Sequence, residues 1–172
     1  MPKNIETLKM IQKYKLLHGY CDFFKQNNKH WDLFTITLTF KSSSSSKYIK
    51  DQCLSIYDNN FLNKIRKQLY RNYNLNQSTI PYEYFRLHEY DERSLLKVDN
   101  EHTPNHIHGI IPIKKEYTKK FWNIETNTLT KRLQKDIKSI KKVASFLIEP
   151  IRLDELDMWI SYCAKYKKVE DL

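Results

Sequence analysis

The stretch Trp31–Lys41, WDLFTITLTFK, decides how the rest of the chain is read. Phe34, Ile36, Leu38 and Phe40 alternate with Thr35, Thr37 and Thr39. Both sets are good strand formers, and a period of two places them on opposite faces. The stretch therefore predicts a strand with one apolar face and one threonine face.

Working outward, Ile5, Leu8, Ile11 and Leu16 fall at near-helical spacing among lysines, which predicts a short amphipathic helix over 4–18 with a packing role. After the strand, the serine run at 42–46 reads as a turn, with Ser46 placed to cap a helix over 47–72. That helix carries an apolar stripe of Leu54, Tyr57, Phe61, Leu62, Ile65 and Leu69, whose aromatics are expected in the core and not on stacked bases. YEYFRLHEYDE at 82–92 and the segment at 105–113 predict two more strands joined by a long polar loop. A helix over 129–142, with Leu129, Leu133, Ile137 and Ile140 apolar, leads into a fourth strand, VASFLIEPI, at 143–151. LDELDMWISYCAKYKK at 153–168 predicts a last helix with Asp154 as N-cap. The order strand, helix, strand, strand, helix, strand implies an α+β fold. Its expected form is one central antiparallel sheet of about four to five strands in a split βαβ, ferredoxin- or RRM-like arrangement, with helices packed on it. Residues 1–172 read as a single domain, with 1–30 a helical N-terminal extension.

Composition narrows the function. Thirty Lys and Arg against twenty Asp and Glu leave a net charge of +10, and the pI is near 9.4, so an acidic partner is expected and nucleic acid comes first. No apolar run approaches the roughly 18 residues of a spanning helix, and MPKNIETLK lacks the apolar core of a signal peptide. The expectation is a cytoplasmic or host-nuclear protein without a membrane partner. Cys21, Cys53 and Cys163 show no paired ligand spacing and suit a reducing compartment. With Gly19 and Gly109 the only glycines, a GxxxxGK phosphate loop is excluded, and with it a nucleotide-hydrolysing motor in this chain.

Chemistry concentrates in TPNHIHGIIP at 104–113. On a strand, His106 and His108 point to one face, and two imidazoles at that spacing can share a metal ion whose set a carboxylate from a neighbouring strand could complete. On the last helix Tyr162, Lys165 and Tyr166 are three and four residues apart and share a face. Tyrosine is a weak nucleophile at its usual pKa of about 10, and a nearby cation favours the phenolate. A metal beside it could polarise a phosphodiester that the tyrosine attacks, giving a covalent phosphotyrosine. Lone His-x-His pairs and helix tyrosines more often simply pack, so the weight lies in their combination.

Three segments together resemble a known family. FTITLTF at 34–40 looks like the first motif of rolling-circle replication initiators, HIH at 106–108 like the histidine-hydrophobic-histidine signature of HUH endonucleases, and YCAK at 162–165 like the tyrosine motif of initiators from small circular single-stranded DNA viruses and related plasmids. FLIEPI followed by WISYCAK also resembles the approach to their catalytic tyrosine, so the likeness spans most of 31–168. The resemblance implies a nuclease that nicks a single-stranded origin, expected as a stem-loop, and stays on the 5′ phosphate through Tyr162. It implies a catalytic role for Lys165, and a Mn2+ or Mg2+ ion held by His106, His108 and one more residue. By analogy that third ligand lies on the strand before HIH. Glu89 and His88 compete, since alternation puts them on opposite faces, with Asp91 behind; hard cations favour Glu89.

Relatives of this kind continue into a helicase, whereas this chain ends six residues after Tyr166, so the expectation is either a nuclease domain cut from a longer initiator or one that works with a separate helicase, with host replication proteins as further partners. Lys114, Lys115, Lys119 and Lys120, interleaved with Tyr117, Phe121 and Trp122, form the expected DNA contact, lysines on phosphates and aromatic faces such as Trp122 on bases; the alternative is a solvated charge run with Trp122 in the core. Two other functions remain open: a single-tyrosine transposase or relaxase-like strand transferase using the same site, and a non-catalytic RNA or single-strand binding module with incidental histidines.

Overall fold

The computed structural model of the chain describes residues 2–41, 49–70 and 106–163. It has an α+β architecture around a central antiparallel sheet. Strand β1 (Trp31–Phe40) lies in the middle, with β2 (His106–Lys114) on one side and β5 (Val143–Pro150) on the other. Both neighbours are antiparallel to it, and the β5 register slips at Thr39/Phe40. A short second ladder pairs β3 (Trp122–Asn123) with β4 (Thr128–Leu129).

The alternation in β1 sends its two faces to different layers. Phe34, Ile36, Leu38 and Phe40 join Ile107, Ile111 and Ile113 of β2 and Ile148 of β5 in the larger core. Helices α2 (Ile49–Ser55), α3 (Leu62–Leu69), α4 (Lys115–Phe121) and α5 (Lys131–Lys138) cover this face. A π-helical segment, Ile56–Phe61, joins α2 to α3 and carries the buried Tyr57 and Phe61, stacked at 5.3 Å. Phe34 anchors the layer, with ring centroids 4.8 Å from Phe121 and 5.3 Å from Trp122.

The threonine face looks the other way. There α1 (Pro2–Gln26) and α6 (Leu156–Cys163) bury Leu17, Cys21 and Phe24 against Leu156, Ile160 and Cys163, over Leu33 and Ile110 at one end of the sheet. Each set of three falls at i, i+4, i+7, one stripe of a helix. Lys25 reaches Asp157 across the pair at 2.6 Å. Being exposed to solvent, that ion pair adds little to the stability of the helix pair, which rests on the apolar contacts.

Several expectations are corrected. The first helix is longer than 4–18, and Leu8, Ile11 and Leu16 of its expected stripe are exposed, because only the later half of α1 overlies α6. The helix expected over 129–142 is confined to Lys131–Lys138, since Leu129 pairs with Trp122 in the short ladder. Asp154 is not an N-cap: α6 begins at Leu156, and the Asp154 carboxylate instead accepts from Arg152 at 2.6 Å. The serine turn with Ser46, the strand expected at 82–92 and with it the split βαβ order, and the end of the last helix lie outside the described residues, whose central sheet has three strands. Among the described residues no helix is long and apolar enough to cross a membrane.

These contacts rank the strand residues. Phe34→Ala should cost about 3–5 kcal/mol in urea denaturation, the range for emptying a buried aromatic site. Leu147→Ala, whose parent side chain is 54% exposed on β5, should stay within about 0.5 kcal/mol. Equal losses at both positions would contradict the two-faced sheet.

Candidate functional site

The pairing of β1 with β2 sets Thr37 directly opposite His108 and Thr39 opposite His106. Because Ile107 points into the large core, both histidines stand on the threonine face, with ring centroids 4.7 Å apart. His108 is buried and His106 half-buried. Thr37 Oγ1 lies 2.9 Å from His108 Nδ1, a hydrogen bond between the strands.

Helix α6 brings the third member. With Leu156, Ile160 and Cys163 turned into the small core, Tyr162 comes to the edge of the helix above β2 and is 42% exposed. Its hydroxyl lies 3.4 Å from His108 Nε2, and the two rings meet edge-on at 5.0 Å. Trp159, one turn earlier and half-buried, packs edge-on against Tyr162 at 5.9 Å. Residues 54 positions apart in sequence are thus brought together, open to solvent on the tyrosine side.

Burial, and after it the neighbouring His106, push the His108 imidazole down to about 4. At neutral pH His108 is therefore uncharged, the form that ligates a metal. The cysteines offer no rival nucleophile. All three are buried free thiols; burial and a hydrogen bond to Asp157 push Cys21 up to about 12, and burial pushes Cys53 up to about 11.

His106 and His108 fit two positions of a divalent-cation site: two imidazoles on one sheet face, one of them held neutral, beside an accessible phenol. Among the described residues no third His, Cys, Asp or Glu joins them. Glu89, His88 and Asp91, the candidates for that position, lie outside the described residues, as do Lys165 and Tyr166.

The expected DNA contacts are only partly available. Trp122 is corrected from a base-stacking residue to a core residue: it is 7% exposed and packed on Phe34. Phe121 is fully buried, and Tyr117 is half-buried against Tyr70. Lys114 lies over the Trp31 ring at 5.9 Å. Lys120 donates to the Leu69 carbonyl at 3.1 Å and sits over Tyr117 at 5.0 Å. Lys115 and Lys119 are exposed on α4. These lysines begin six residues beyond His108 along β2, about 20 Å at the rise of a strand. Their helix packs on the face opposite the histidines.

Two features escaped the sequence. Thr37 was visible as a face-sharing threonine, but only the strand register brings it to His108. The basic patch also extends into α5, where Lys131, Arg132, Lys135 and Lys138 are exposed. Residues 114–142 hold ten Lys and Arg against three Asp and Glu, net +7 of the chain's +10.

No family model matches the chain, and neither the curated proteins nor the solved structures contain a match to it.

The depressed His108 predicts acid sensitivity. Its folded value lies below the unfolded value of about 6.5. The stability it contributes is therefore complete above about pH 6.5 and lost as pH falls toward 4. In chelator-treated protein this amounts to a loss on the order of 3 kcal/mol. His108→Gln should flatten that portion of the pH–stability curve measured by urea denaturation; an unchanged curve would remove His108 as its source.

Proposed function

We propose that the chain is a metal-dependent DNA strand-transfer endonuclease of the HUH type, acting on single-stranded DNA as a replication initiator. The observation that carries the reading is the Tyr162 hydroxyl 3.4 Å from Nε2 of His108, with His106 on the same face. A nucleophile that can accept the phosphoryl group and a histidine pair that can hold a cation are the two parts such chemistry needs, and the contact of Tyr162 with His108 supports that reading.

A bound Mn2+ or Mg2+ would polarise the scissile phosphate as a Lewis acid. His106 and His108 would hold it, with the third ligand from Glu89 or His88. Tyr162 is the nucleophile. Its oxygen forms a bond to phosphorus while the bond to the 3′ oxygen breaks; the phenol gives up one proton and the departing 3′ hydroxyl takes up one. The product is a 5′-phosphotyrosine and a free 3′ end. Attack by a 3′ hydroxyl on that link reverses the balance and rejoins the strand. Trp159 packs against Tyr162 and restricts its swing, which favours a constant angle of attack. Lys165 is the candidate cation beside the phenolate.

DNA flanking the cleaved strand would be held by charge, away from the histidines and on the other side of the sheet. With Phe121 and Trp122 turned inward, the basic surface of α4 and α5 is suited to phosphates and not to stacked bases.

Tyr162→Phe should abolish the protein-linked product of a labelled single-stranded oligonucleotide pool, including stem-loops, in Mn2+, while DNA binding persists. The chelator should do the same to wild type. A full yield of adduct from Tyr162→Phe would overturn the assignment, and cognate-origin DNA that binds without reacting would favour a binding module.

Replacing Lys115 and Lys119 together by Gln should flatten the slope of log K against log salt for a single strand by about 1.4 and weaken all sequences alike. An unchanged slope would place the phosphate contacts elsewhere.

A further inference from the structure

Neutral imidazole carries one N–H and one lone pair, so a histidine can offer a given nitrogen to a cation only if something fixes its tautomer. At His108 the two ring nitrogens have different neighbours. Nδ1 meets Thr37 Oγ1 at 2.9 Å, and Nε2 meets the Tyr162 hydroxyl at 3.4 Å. The shorter contact sets the ring. It also comes from the stiffer partner: Thr37 is β-branched, half-buried, and on the central strand, paired to Leu147 on one side and to His108 on the other.

Proton placement follows from donor strength. A phenol O–H is a better donor than an alcohol O–H, which favours the Nε2 lone pair toward Tyr162 and the Nδ1 proton toward Thr37. Nothing about strand formation requires a hydroxyl here, since valine forms strands as well as threonine.

We propose that Thr37 is the positioning residue of the cation site: its oxygen accepts the Nδ1–H of His108 and holds the ring in the tautomer whose Nε2 lone pair faces Tyr162. The proposal rests on the nuclease reading for its purpose, though not for its first measurement. Thr37 touches neither phosphate nor cation and acts only through His108. The same bond ties β1 to β2 at the site, so orientation of the ligand and pairing of the strands come from one contact.

The test has two parts on the full chain. In metal-free, chelator-washed protein labelled with 15N-histidine, long-range proton–nitrogen spectra should show His108 protonated on Nδ1. In Thr37→Val the ring should become a mixture of tautomers, and Thr37→Ser should restore the wild-type signal. A wild-type His108 protonated on Nε2 would overturn the proposal. In the second part, Mn2+ affinity is read by electron paramagnetic resonance. Thr37→Val should weaken it about 10- to 100-fold, the range for losing the outer partner of a ligating histidine. Thr37→Ser should stay near wild type, and His108→Ala should lose the site. Affinity that falls in His108→Ala but not in Thr37→Val would refute Thr37 alone. Affinity unchanged in His108→Ala would refute the metal reading and the proposal with it.

Discussion

The register between β1 and β2 is the constraint on which the site depends. One residue of slip would turn both histidines into the large core and send Ile107 onto the open face. The apolar set of both strands prevents this: Phe34, Ile36 and Leu38 on one, Ile107, Ile111 and Ile113 on the other, nearly all without solvent contact. Hydrophobic burial of one face thus places polar chemistry on the other. The Thr37–His108 hydrogen bond is the local expression of that register, made where a slip would break it.

The second layer serves the same end. Helix α6 has a single buried stripe, and seating it against α1 brings the Tyr162 ring over His108. The α1–α6 pair therefore behaves as a holder for the tyrosine. The cost of this arrangement is a buried imidazole, forced neutral by desolvation. The same desolvation that lowers the proton affinity of His108 keeps its ring uncharged at neutral pH, the form that the proposed cation site requires.

Much of this was legible in the sequence, for identifiable reasons. β1 declared itself through unbroken alternation, and the large core followed from the stripes at Tyr57, Phe61 and Ile65 and at Leu133 and Ile137. His106, His108 and Tyr162 were marked by residue type and spacing. Trp122 misled because a basic, aromatic run reads the same whether its rings face solvent or core; the short β3–β4 ladder, invisible to periodicity, turns that ring inward. Asp154 misled because Arg152, two residues away, competes for its carboxylate. Thr37 could not be singled out at all: pairing partners 71 residues apart are a property of register, which single-strand patterns do not encode.

If Tyr162 supplies the oxygen that bonds to phosphorus, the covalent adduct must map to it. Trypsin cleaves after Arg152 and Lys165, so Tyr162 falls in the peptide 153–165 while Tyr166 falls in the next one. Wild-type protein reacted with oligonucleotide in Mn2+, digested with nuclease and trypsin, should yield a nucleotide mass on 153–165, fragmenting to phosphotyrosine at Tyr162. The same mass on the peptide that begins at Tyr166 would contradict the account.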